Sequence, residues 1–105
     1  MQVFTSESNG WYVSKLIEAT KDLPPKEVSV SELLTRDDTQ KAVDWLYRNE
    51  PFAVGEANLQ YPVILSAEGV LMDGYHRLAR AAKDGLSTLL AVQFEVTPPP
   101  DFTDP

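Results

Sequence analysis

Three stretches of the chain carry apolar residues at helical spacing. From Trp11 to Leu23, Val13, Leu16, Ile17 and Thr20 recur at steps of three and four, which predicts an amphipathic helix. Ser8-Asn9-Gly10 would open it and Pro24-Pro25 would stop it. Ala42, Val43, Leu46 and Tyr47 repeat the spacing, with Trp45 beside them, after a capping signal in Arg36-Asp37-Asp38-Thr39; Pro51 ends that helix. A third helix is expected from Gly74 to Asp84, with Tyr75, Leu78, Ala79 and Ala82 on one face. Asp73 would be its N-cap and Gly85 its C′ residue. Denser apolar runs predict strands at Val28-Ser29-Val30, Tyr61–Ser66, Val70-Leu71-Met72 and Leu89–Val96. The core of the second, Val63-Ile64-Leu65, suits a strand buried on both faces. Ala67-Glu68-Gly69 is a three-residue turn that folds the second and third into a hairpin. Ser31–Leu34 reads as a turn or brief helix, and Phe52 to Gln60 as irregular. Residues 1–10 read as a loose N-terminus, and 97–105, with Pro98-Pro99-Pro100, as an extended tail.

The order is helix, strand, helix, hairpin, helix, strand. It predicts a single α/β (α+β) domain over 1–105, a small mixed sheet packed by helices. A hydrophobic fraction of 43% supports one modest core. Sixteen acidic residues against nine basic ones give a net charge of -7, which disfavours direct DNA binding and attraction to a membrane surface. The absence of cysteine removes disulfides, thiolate metal sites and thiol nucleophiles. No apolar run reaches transmembrane length and no signal-peptide core precedes the domain, so the expected compartment is the cytoplasm.

The chemistry concentrates at the start of the third helix. His76, the sole histidine, and Arg77 fall in its first turn, where the helix dipole disfavours cations by about 0.3–1 kcal/mol each. Such a placement suits a bound anion, phosphate above all, held by the free N–H groups of the turn. Gly74 would let the anion approach the backbone, and Arg80 lies one turn further on. In the alternative, Asp73 cancels the dipole and Arg77 pairs with Asp73 or Glu68 across the turn. A lone histidine without cysteine gives zinc little support, so no metal site is assigned. Trp11, Trp45 and Tyr47 fit core positions better than base-stacking ones, and Arg48-Asn49-Glu50 reads as a solvated helix edge.

Val70-Leu71-Met72-Asp73-Gly74-Tyr75-His76-Arg77 resembles the strand–turn–helix of the ParB/sulfiredoxin-like superfamily, in which a Gly-x-x-Arg or Gly-x-His-Arg element binds nucleotide phosphates. The wider resemblance covers about Val28 to Val96, and its specific part Tyr61–Gly85. It is to small stand-alone bacterial members. Gly74, His76 and Arg77 match the sulfiredoxin pattern, whose His and Arg contact ATP phosphates. Tyr75 stands where sulfiredoxin has its catalytic cysteine, which excludes sulfinic acid reduction by that mechanism. Against the nucleotide box of ParB, Gly74 and Arg77 match, while Tyr75, His76 and Ala79 depart from it. No helix-turn-helix or clamp segment is recognised.

The resemblance implies a nucleotide- or phosphate-binding domain, with Asp73, Gly74, Tyr75, His76, Arg77 and Arg80 as its site. The ligand would be ATP, CTP or another phosphorylated small molecule, with Mg²⁺ accompanying a triphosphate. If phosphate is transferred or hydrolysed, Asp73 and Glu68 are the nearest acids, and Asp37-Asp38 could join them on folding. A metal-dependent nuclease would need the same acids to converge. The competing class is a non-enzymatic interaction module whose acidic surface docks a protein partner.

Overall fold

The computed structural model describes residues 1–104. It is a mixed α/β fold whose centre is a four-stranded sheet of β3 (Lys26–Ser29), β4 (Val63–Leu65), β5 (Leu71–Asp73) and β6 (Thr88–Gln93). The strand order is β3-β6-β4-β5. β6 runs antiparallel to β3 and parallel to β4, and β4 turns back antiparallel into β5. The predicted turn is present, with Gly69 at φ +87° and the Ser66 N–H donating to the Val70 carbonyl at 2.8 Å.

Alternation along these strands divides the interior into two clusters, because successive side chains leave a strand on opposite faces. Val63, Leu65, Leu71, Leu89 and Ala91 point into the larger one. It is closed by α2 (Val30–Leu33), α3 (Asp37–Asn49), α4 (Pro51–Glu56) and α5 (Tyr75–Lys83). Ile64, Met72 and Val92 point the other way, to Trp11, Leu16 and the partly buried Phe4, Leu23 and Phe94. The helix on this second side is α1 (Val13–Thr20). No helix is long and apolar enough to cross a membrane among the described residues.

Four departures from the sequence reading have physical causes. Residues 1–10 are not a loose end: β1 (Val3–Ser6) pairs with β2 (Asn9–Tyr12), and Phe4 and Trp11 bury their rings on the second cluster. The first helix therefore begins at Val13, and Trp11 belongs to a strand. Residues 97–104 are extended but docked. β7 (Phe102–Thr103) pairs with β2, the Trp11 indole N–H donates to the Pro98 carbonyl at 2.9 Å, and the Tyr12 N–H donates to the Asp101 carboxylate at 2.8 Å. The Phe102 ring lies where a Cβ on residue 10 would stand, so a larger residue there would have to push the ring aside. The stretch from Phe52 holds a helix, α4, entered through Pro51 at its first turn. Finally, Val30 closes no strand; it starts α2, which Ser29 caps by accepting from the Glu32 N–H at 3.2 Å.

Candidate functional site

β5 is one of the two edge strands of the four-stranded sheet, and the chain leaves it through a left-handed Gly74 at φ +108° into α5. A Cβ at residue 74 would stand 2.5 Å from Val63 Cγ1. Glycine is required here by both the backbone angle and the packing against β4. The predicted cap is corrected: Gly74, not Asp73, is the N-cap residue, and no side chain caps the helix. The Asp73 carboxylate is turned instead to Arg77 Nη2 at 3.0 Å. The first backbone N–H of α5 with an acceptor is that of Leu78, bonded to the Gly74 carbonyl at 2.9 Å, so the donors of the first turn are left unpaired among the described residues.

That helix start opens into a groove of about 670 Å³. β1 supplies one wall (Val3, Phe4), α1 another (Val13, Ile17) and α3 the third (Ala42, Trp45, Leu46), while Met72 to Arg77 form the floor. The size matches an ordinary small-molecule site. Three large apolar side chains in it remain open to solvent: Ile17 at 53%, Trp45 at 49% and Val3 at 44%.

The cations behave differently from one another. Arg77 Nη1 donates to the carbonyls of Pro62 (2.9 Å) and Tyr61 (3.2 Å) as well as meeting Asp73 through Nη2. It pins the approach to β4 against the β5–α5 turn, which is the structural alternative recognised in the sequence. Arg80 does not converge on the helix start. Its Nη1 donates to the carbonyls of Ala57 (2.8 Å) and Gly55 (3.0 Å), closing the C-terminal end of α4 where a cation is favoured. It lines a separate shallow groove with Glu56, Asn58 and Leu59. His76 faces the site and holds Glu50 through Nε2 at 2.7 Å. Tyr75 is mostly buried, and its hydroxyl donates back to the Leu71 carbonyl at 2.9 Å; burial raises its pKa.

Of the acids, Asp73 alone reaches the groove. Glu68 sits at the β4–β5 turn, accepting from the Thr97 hydroxyl at 3.1 Å, and lines a different, polar cleft with Lys26, Glu32 and Arg36. Asp37 pairs with Lys41 and Asp38 with Arg36. Asp38 is held below the usual carboxylate range, chiefly by its hydrogen bond from Arg36. No three His, Cys, Asp or Glu side chains gather into a metal-binding group among the described residues. Sequence reading missed Glu50. It is 26 residues from His76, at the junction of α3 and α4, and no local pattern marks it. Compared with known proteins, the chain matches no family model, no curated protein and no solved structure.

Proposed function

We propose that the groove at the start of α5 binds a nucleotide or related phosphorylated small molecule, with the phosphate at the first turn and the organic part against Trp45, Met72 and Ile17. The observation that carries the reading is the uncapped helix start opening into an apolar-walled groove. Backbone donors and the helix dipole favour an anion there, and a half-exposed indole offers a face for a base or other flat ring. The resemblance of Asp73-Gly74-Tyr75-His76-Arg77 to a nucleotide-binding strand–turn–helix supports the same ligand class. The arginines contribute through the scaffold: Arg77 fixes the turn and Arg80 braces α4. For transfer or hydrolysis of a bound phosphate, Asp73 is the acid that lines the groove.

The test is calorimetric titration with ATP, CTP and GTP, each with and without Mg²⁺, beside Trp45→Ala and His76→Ala. Both positions are at least partly exposed, so the variants should keep the fold. Saturable binding that weakens roughly tenfold in each variant is expected. No heat and no thermal shift with any nucleotide would end the nucleotide reading.

A second reading has its own observation. Val3, Ile17 and Trp45 leave exposed apolar surface around the groove of an acidic protein, as a docking module for a basic partner would present. Binding of a basic amphipathic peptide, lost in Trp45→Ala while nucleotides give no signal, would favour it.

A further inference from the structure

The chain holds a single Asn-Gly pair, Asn9-Gly10, and it opens β2. Asn-Gly is the pair in which an asparagine cyclises most readily. The backbone nitrogen of the following residue attacks the side-chain carbonyl carbon, and glycine has no Cβ to obstruct it. Asn9 is half-buried, and its carboxamide makes no hydrogen bond among the described residues, so no partner holds it away from the backbone. The attacking nitrogen is turned to the docked segment 97–104. The Gly10 carbonyl accepts from the Asp101 N–H at 2.8 Å, and in an antiparallel strand the N–H and C=O of one residue point the same way. Asn9 and Gly10 stand opposite Thr103 and Phe102 of β7. Just ahead of the pair, Glu7 sits at φ +56°, a conformation that costs an L side chain energy. The β1–β2 hairpin therefore depends on its third strand to stay closed.

We propose that Asn9-Gly10 is a site of spontaneous deamidation gated by segment 97–104, and that the reaction in turn releases that segment. While β7 is paired, β2 is extended and the Gly10 nitrogen faces the strap instead of the Asn9 carboxamide. When the strap lifts, that nitrogen loses its proton to solvent base and bonds to Asn9 Cγ. The bond from Cγ to the amide nitrogen breaks, and ammonia leaves with a proton taken from water. The resulting succinimide ring adds one water. Opening at Cγ gives aspartate. Opening at the main-chain carbonyl gives isoaspartate, whose backbone runs through Cβ and Cγ. Either product places a carboxylate at position 9, on a hairpin that carries Glu7 and faces the strand end bearing Asp104. Isoaspartate also adds one atom to the main chain of β2, which throws the following residues out of register with β1 and β7. Trp11 comes next, and it now packs on Phe4 and donates to the Pro98 carbonyl. Both contacts are lost with the register. Because β1 supplies Val3 and Phe4 to the groove, that wall loosens as the molecule ages.

The test is to age the purified protein at mildly alkaline pH, where the amide nitrogen is more easily deprotonated, and to digest it. Mass spectrometry with electron-transfer fragmentation then separates aspartate from isoaspartate at position 9. A peptide of residues 5–13, aged alongside, gives the unprotected rate. Modification through a fast local opening follows the population of the open form. Wild type should therefore convert more slowly than the peptide. Asp101→Ala, which removes the acceptor of the Tyr12 N–H, should convert several-fold faster than wild type, by the same factor as its Gly10 amide exchanges. Wild type in increasing low urea gives the same comparison without a substitution. Asn49 and Asn58, followed by Glu50 and Leu59, should stay intact. The isoaspartyl form, isolated by anion exchange, should lose hydrogen-exchange protection at Tyr12 and keep it at Val92. Asn9 left intact in both proteins after the peptide has converted overturns the site. Conversion that does not follow Gly10 exchange, across the variant or the urea series, overturns the gating. Full Tyr12 protection in the isoaspartyl form overturns the release of the strap.

Discussion

The two faces of the central sheet are held in different ways. On the face of α2 to α5, buried aliphatic residues from three strands meet four helices, and contacts are made by neighbours that the sequence already groups: Val63 and Leu65, Leu71, Leu78 and Ala79. On the other face the cluster is small, and its cover is made from the two ends of the chain. β1 and β2 form a hairpin, an element only marginally stable alone, and β7 arrives from about 90 residues away to make it three-stranded. The groove lies where these two constructions meet, with α3 on one side and β1 and α1 on the other. One wall is therefore as firm as the main core, and the other depends on a terminal strap.

The largest effect should come from the firm side. Leu78 is fully buried between α5 and the sheet. Leu78→Ala removes its contacts and leaves a cavity, at a cost of about 2–5 kcal/mol. Denaturant unfolding should show the loss with both sheets melting together. If the small sheet melted at an unchanged midpoint, the two faces would be independent units and the comparison would need redrawing.

What the sequence revealed follows the same division. α5, its hairpin and its glycine stop were legible because apolar spacing and turn residues are local signals. The stop is present as written: Gly85 at φ +72°, with the Leu86 and Gly85 N–H groups donating to Ala81 and Ala82. α4 was not legible, because its six residues bury only Val54 and its C-terminal carbonyls are satisfied by Arg80 from the next helix. The small sheet was not legible either. Its strands are short and half polar, and register between chain ends leaves no local trace. At the site, Gly74, His76 and Arg77 stood out by residue type, but type did not say what each cation is bonded to. That depended on the carbonyls of Tyr61 and Pro62 and on Glu50, all remote in sequence.

Arg77→Ala tests the border between the faces and should have the next largest effect. The side chains of Arg77 and Asp73 are only 19% and 12% exposed. Truncation leaves a nearly buried carboxylate unpaired and removes donors from two carbonyls. Breaking a fully buried pair costs about 3–5 kcal/mol, and the residual solvent contact brings the expected loss to about 2–3 kcal/mol. The variant should therefore lose stability before it reveals anything about ligand binding, and calorimetric unfolding without ligand measures that directly. A melting temperature within a degree of wild type would mean that the guanidinium is free to serve a phosphate after all.

The smallest effect, and the most selective, belongs to the strap. Asp101 accepts from the Tyr12 N–H at 2.8 Å and meets Lys15 at 3.3 Å. The backbone hydrogen bond from Tyr12, with help from Lys15, holds its carboxyl below the ordinary aspartate value of 3.8. A group whose native pKa is lowered stabilises the fold fully above the unfolded value and loses that contribution as the pH falls through the native one. Acidification below the ordinary value should therefore loosen the strap and leave the four-stranded sheet in place. Hydrogen exchange, corrected for the intrinsic effect of pH, reads this at two amides: protection at Tyr12 should decline while that at Val92 holds. Asp101→Asn keeps an acceptor oxygen but cannot titrate, so its Tyr12 protection should be lower at neutral pH and flat in acid. Equal declines at both amides would show that acid acts on the whole fold. The soft wall of the groove would then be no softer than the firm one.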